Sequence, residues 1–136
     1  MKFVDKQLAL KLKEKGFDRH CLGFYNPIQD ELQLYCANNK DVTYKNILTS
    51  VYKNKVLVDA PTIEQVLKWL REEKDIDIVI YPIDRNTIYM GGEKYILSIY
   101  FCGKRDYKIH KDNNDKFVKW EDACIAGIEY VVGHLI

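Results

Sequence analysis

Apolar residues recur along this chain with two different periods. In the run Ala60-Pro61-Thr62-Ile63-Glu64-Gln65-Val66-Leu67-Lys68-Trp69-Leu70-Arg71 they return every three or four positions, so Ile63, Val66, Leu67 and Leu70 share one face of a helix. Thr62 and Gln65 stand at the capping-box spacing, where a threonine hydroxyl and a glutamine amide each satisfy a backbone N–H of the first turn. Glu64 precedes Lys68 by one turn, the favourable order for an ion pair, and the pattern predicts an end near Lys74.

Beyond that point the period falls to two. Ile76, Ile78 and Ile80 alternate with Asp77, Val79 and Tyr81; Asp84-Arg85-Asn86 marks a turn, and alternation resumes over residues 87–90 and, past Gly91-Gly92, over residues 95–102. The expectation is an antiparallel meander, with a fourth strand over residues 106–110 and a polar loop over 111–116. A last helix is predicted over residues 120–135. Glu121 and Asp122 in its first turn and His134 in its last match the helix dipole, and Ala123, Gly127, Ile128, Val131 and Leu135 face inward. The small residues Ala123, Ala126 and Gly127 imply close packing against the sheet or another helix.

Nearer the N-terminus, residues 5–15 form a short amphipathic pattern with Leu8, Ala9 and Leu12 on one face, closed by Gly16. Asn26-Pro27 reads as a turn within a hairpin whose second strand carries Leu32, Leu34 and Cys36 on one side. Residues 38–59 are mixed: Tyr44, Ile47, Leu48 and Val51 have helical spacing among poor helix formers, and no element is assigned. Val56-Leu57-Val58 fits a short strand or an apolar loop equally. The fold class that follows is α+β in one domain, residues 1–136: an antiparallel meander sheet of roughly five or six strands, packed on one face by the amphipathic helices that start at Thr62 and Trp120.

Composition narrows the function classes. A chain of 136 residues, 47% hydrophobic and 30% charged, is sized for one core and lies far from the disordered corner. Twenty-one basic against twenty acidic residues leave a formal charge of +1, so no global field draws nucleic acid or an anionic membrane. No apolar run suffices for a signal peptide or a membrane span, so a cytoplasmic protein with no membrane partner is expected. Cys21, Cys36, Cys102 and Cys124 are far apart and read as free thiols, better explained by core packing than by redox use.

Catalytic constellations are missing from the pattern. His20, His110 and His134 are isolated, no Cys-x-x-Cys spacing exists, and Gly91-Gly92 sits between strands with no helix after it to hold a phosphate. A pairing of Cys21 or Cys102 with His110 has nothing to mark it out. Asp75 with Asp77 reads as turn charge, and Glu121 with Asp122 as helix-start charge. The reading leans away from an enzyme, with no catalytic residues, no metal and no cofactor expected.

The tyrosines carry more. Strand parity collects Ile76, Ile78, Ile80, Ile88, Met90, Leu97, Ile99 and Phe101 on one face of the meander, and Asp77, Val79, Tyr81, Tyr89, Ile96, Ser98 and Tyr100 on the other. The second face is too apolar for ordinary solvent exposure, and its hydroxyls tolerate water as interface tyrosines do. Either the N-terminal hairpin or the segment after it covers this face, or it meets a second copy or a protein partner through Tyr81, Tyr89 and Tyr100. The alternative is nucleic-acid binding, since helix, three strands, helix is also the order of a double-stranded-RNA-binding domain. Lys104, Arg105, Lys108 and Lys111 would then be the phosphate contacts, although Trp120-Glu121-Asp122 stands where that fold wants lysines.

A resemblance rests on three marks: Lys13-Glu14-Lys15-Gly16-Phe17 closing the first helix, the Ala60 to Arg71 run, and a closing helix with acidic and small residues near its start. Together they make the chain resemble a group of small uncharacterised proteins from bacterial phage and prophage gene clusters, except over residues 38–59. That resemblance implies a setting and no chemistry.

Overall fold

The structure, a computed structural model, describes residues 2–35, 42–53, 55–83, 94–101 and 116–136. Within these the fold class is α+β: four helices and two antiparallel sheets of three strands each. The strands thus divide between two sheets where the alternation suggested one sheet of five or six. Two compact units result, Met1–Gln65 and Val66–Ile136.

In the first unit, helix α1 spans Lys6–Glu14, capped by the Asp5 carboxylate, which accepts from the Leu8 N–H at 2.8 Å. Its C-terminus closes as the glycine at position 16 foretold. Gly16, at φ +93°, donates its N–H to the Lys13 carbonyl, and Phe17 donates to Leu12, the paired bonds of a Schellman turn. Leu8, Ala9 and Leu12 are buried.

Strands β1 (Gly23–Tyr25) and β2 (Leu32–Leu34) form the expected hairpin, and β3 (Val58–Ala60) pairs on the other side of β1, giving the order β2-β1-β3. The ambiguous apolar stretch therefore becomes strand at Val58. Leu32 and Leu34 share one face, as their alternation required, but both are exposed; Cys36 lies outside the described residues. A Cβ at Gly23 would meet the Gln33 carbonyl oxygen at 3.0 Å and the Phe3 ring at 3.3 Å, so glycine stands where the N-terminal segment crosses the sheet.

The unassigned region contains helix α2, Val42–Val51. Its residues are poor helix formers, and Ile47 and Val51, which share the helical spacing, are exposed. At its end, Tyr52 donates its hydroxyl to Gln33 at 2.8 Å, accepts from Asn26 at 3.3 Å and sets its ring 6.1 Å from Phe24.

Helix α3, Ile63–Glu73, begins at the predicted capping box: Gln65 Oε1 accepts from Thr62 N–H at 2.9 Å, and Thr62 Oγ1 accepts from Gln65 N–H at 3.3 Å. Ile63, Val66 and Leu70 are buried, while Leu67 is half-buried; Trp69, absent from the predicted stripe, is buried as well. Lys68 lies 3.8 Å from Glu72, so its ion pair runs one turn forward, to Glu72 rather than back to Glu64.

The second unit is a β-meander under one helix. Strand β4 (Ile76–Pro82) pairs directly with β5 (Tyr95–Phe101), and β5 with the two-residue β6 (Lys116–Phe117). The β4–β5 pairing is direct, with no strand between them; residues 87–90 and 106–110, expected as strands of the meander, lie outside the described residues. Helix α4, Trp120–His134, packs on β4, β5 and β6 and buries Ala123, Cys124, Gly127, Ile128, Val131 and Val132. Leu135 is its C-cap and is half-buried rather than inward. Gly127 explains the small residues: a Cβ there would lie 2.8 Å from Ile78 Cγ2 and 2.9 Å from Leu97 Cδ1. Among the described residues no helix is long and apolar enough to cross a membrane.

Candidate interaction face

The β4–β5 register puts the two faces where parity placed them. Ile76 opposes Phe101, Ile78 opposes Ile99 and Ile80 opposes Leu97; between these rungs, Asp77 opposes Tyr100, Val79 opposes Ser98 and Tyr81 opposes Ile96. On the first face Ile76, Ile78, Leu97 and Ile99 are buried, with α4 against the sheet. That burial fixes the register, because a one-residue slip would turn the isoleucines outward.

The second face is unevenly covered. Ser98, at its centre, is 4% exposed, whereas Tyr81 is 45% exposed and Val79, Ile96 and Tyr100 are half-buried. Exposure therefore gathers toward the Tyr81 end. At the other end Arg71 of α3 reaches Asp77: its Nε and Nη2 donate to one carboxylate oxygen at 3.3 and 3.2 Å, so the acidic residue of this face is already engaged. The sequence holds only a faint signal for that pair, a basic residue in the last helical turn and an acid at the second strand position.

The two described tyrosines act together. The Tyr81 phenol is held above its ordinary value, first by a side-chain hydrogen bond with Tyr100, then by partial burial and by the neighbouring Tyr100 and Asp77. The outer edge of β4 has no paired strand among the described residues. No protein-family model, curated protein or solved structure matches this chain. The face is read from its own chemistry. Tyr89, the third tyrosine expected here, and the basic set Lys104, Arg105, Lys108 and Lys111 lie outside the described residues. Of the other chemistry-bearing residues, Cys21 and Cys124 are buried and in no disulfide, as core packing predicted.

Proposed function

We propose that this chain is a non-enzymatic protein-interaction module, cytoplasmic and of the phage-cluster type it resembles, that self-associates through the Tyr81 end of the β4–β5 face. The supporting observation is the asymmetry of one sheet. Its inner face is closed by α4, while its outer face leaves Tyr81 exposed beside half-buried Val79, Ile96 and Tyr100. Aromatic groups with a polar tip, set among aliphatic side chains, are what symmetric interfaces bury. A seven-residue strand whose outer edge is unpaired among the described residues adds backbone donors and acceptors that a second copy can pair antiparallel.

Sedimentation velocity over a micromolar concentration series tests this. The expected result is a concentration-dependent sedimentation coefficient that falls to the monomer value in Tyr81→Ser with Tyr100→Ser, with far-UV circular dichroism unchanged. A wild-type chain that stays monomeric throughout the series refutes self-association. Variants that unfold would make the face structural and remove the site.

A further inference from the structure

The sheet of the Met1–Gln65 unit ends in strand β2, whose outer edge pairs with no other strand among the described residues. The hydrogen-bond phase shows which groups that edge presents. The Tyr35 N–H donates to the Leu22 carbonyl at 2.8 Å and the Asn26 N–H to the Glu31 carbonyl at 2.8 Å, both in the register that sets Gly23 against Leu34 and Tyr25 against Leu32. Bonded and unbonded residues alternate in an antiparallel ladder, so Glu31, Gln33 and Tyr35 turn their backbone groups toward β1. Leu32 and Leu34 therefore aim their N–H and C=O groups outward. At the far side of this sheet the N-terminal segment closes the chain that continues from β3: Val4 N–H donates to the Pro61 carbonyl and Ile63 N–H to the Lys2 carbonyl, both at 3.0 Å.

The same two residues carry exposed apolar side chains, Leu32 at 41% and Leu34 at 64%. A Cβ at Gly23 would stand 3.3 Å from Leu32 Cδ1 and 3.3 Å from Phe3 Cε1, so half-buried Phe3 extends the apolar strip inward from the edge. Proteins ordinarily blunt such an edge with a proline, a lysine or a bulge. Strand β2 has none of these: it reads Leu32-Gln33-Leu34 and pairs residue for residue with β1. Unpaired backbone groups and exposed leucines thus coincide on one strand.

The edge is complementary to itself. A two-fold axis through Gln33 sets Leu32 opposite Leu34 of a second copy, which pairs both outward N–H groups and both outward carbonyls of each chain. Leucine then meets leucine on one face. On the other, Gln33 meets Gln33 of the second copy and Glu31 meets Tyr35, so no like charges oppose across residues 31–35. We infer that the β2 edge pairs antiparallel with the β2 edge of a second copy, joining two three-stranded sheets into one continuous sheet. With three residues to a strand the contact is a weak one, formed at high micromolar concentration. It lies in the first unit and is independent of the β4–β5 face.

The test is amide exchange with water, read residue by residue in ¹H–¹⁵N spectra of the full chain at low and at high micromolar concentration. The Leu32 and Leu34 amides should exchange freely in the dilute sample and about tenfold more slowly where most chains are paired, while Gln33, bonded to β1, is protected in both. Leu34→Lys puts a charge where two leucines would meet; position 34 is exposed, so the fold persists and the concentration dependence at Leu32 should vanish. Fast exchange at every concentration overturns the pairing. Protection already complete in the dilute sample means that the edge is covered within one chain, which also overturns it, as does a Leu34→Lys chain that keeps the wild-type concentration dependence. Because the readout is confined to residues 32 and 34, Tyr81→Ser with Tyr100→Ser should leave it unchanged, and the failure of either contact is read separately.

Discussion

Two glycines in one helix should respond to the same substitution with opposite signs. In Gly133→Ala the new Cβ meets nothing within 4 Å, so the change reports only the backbone term. Near a helix end this favours alanine by about 0.5 kcal/mol, and it reaches about 1 kcal/mol in an interior. Gly127→Ala gains the same backbone term but places its Cβ 2.8 Å from Ile78 Cγ2 and 2.9 Å from Leu97 Cδ1. The Leu97 methyl ends a rotatable side chain and can move. The Ile78 Cγ2 methyl is branched at Cβ on a strand paired along its length with β5, so it moves only with backbone or with α4. Overpacking of this kind costs about 1–3 kcal/mol, so after the interior backbone gain of about 1 kcal/mol Gly127→Ala is net destabilised by up to about 2 kcal/mol. Urea unfolding followed by circular dichroism reads both: at a slope of about 2 kcal/mol/M, the midpoint should fall by up to about 1 M for Gly127→Ala and rise slightly for Gly133→Ala. If Gly127→Ala stabilises as much as Gly133→Ala, the close approach of α4 to β4 and β5 is refuted.

Three further outcomes are expected. Thr62→Ala removes the hydroxyl that accepts from Gln65 N–H and should lower stability by about 1 kcal/mol in the same unfolding assay; an unchanged midpoint would mean the capping box contributes nothing. Asp75 holds φ +54°, where a side chain is strained, so Asp75→Gly should leave the midpoint unchanged or raise it, and a clear loss would assign the aspartate another role. The buried Tyr25 phenol donates to the Val4 carbonyl and is raised above its ordinary value by burial first and by Asp5 second. A raised phenol resists ionisation in the native state, so its stabilising contribution is complete below about pH 10 and is lost as pH climbs through the raised value. Tyr25→Phe should flatten that alkaline fall in midpoint, and an unchanged slope would refute the linkage.

What could be read in advance was local. The Gly16 turn and the Thr62–Gln65 box each involve residues within five positions of one another, and their hydrogen bonds follow from residue type and spacing. Alternation over Ile76–Pro82 and Tyr95–Phe101 likewise assigned the faces correctly, because side-chain parity does not depend on what the sheet packs against. Tyr81 and Tyr100 were placed on one face for that reason.

Partner choice was not legible. Which strands pair is decided by burial and loop closure across many residues, so the division into two sheets, and the direct pairing of β4 with β5, appear only when the chain is assembled. The same holds for α2, whose residues are indifferent helix formers and whose end is held by Tyr52 against Gln33, Asn26 and Phe24. Leu32 and Leu34 share a face by parity, but their place on an outer edge follows only from β3 pairing on the other side of β1. Outside residues 38–59, the main helices, their caps and the face parity of the long strands followed from residue type and spacing, as short-range consequences of backbone geometry. Tertiary structure alone decided strand partners, the uneven cover of the tyrosine face and the outer edge of β2, because each depends on which distant surfaces exclude water from one another.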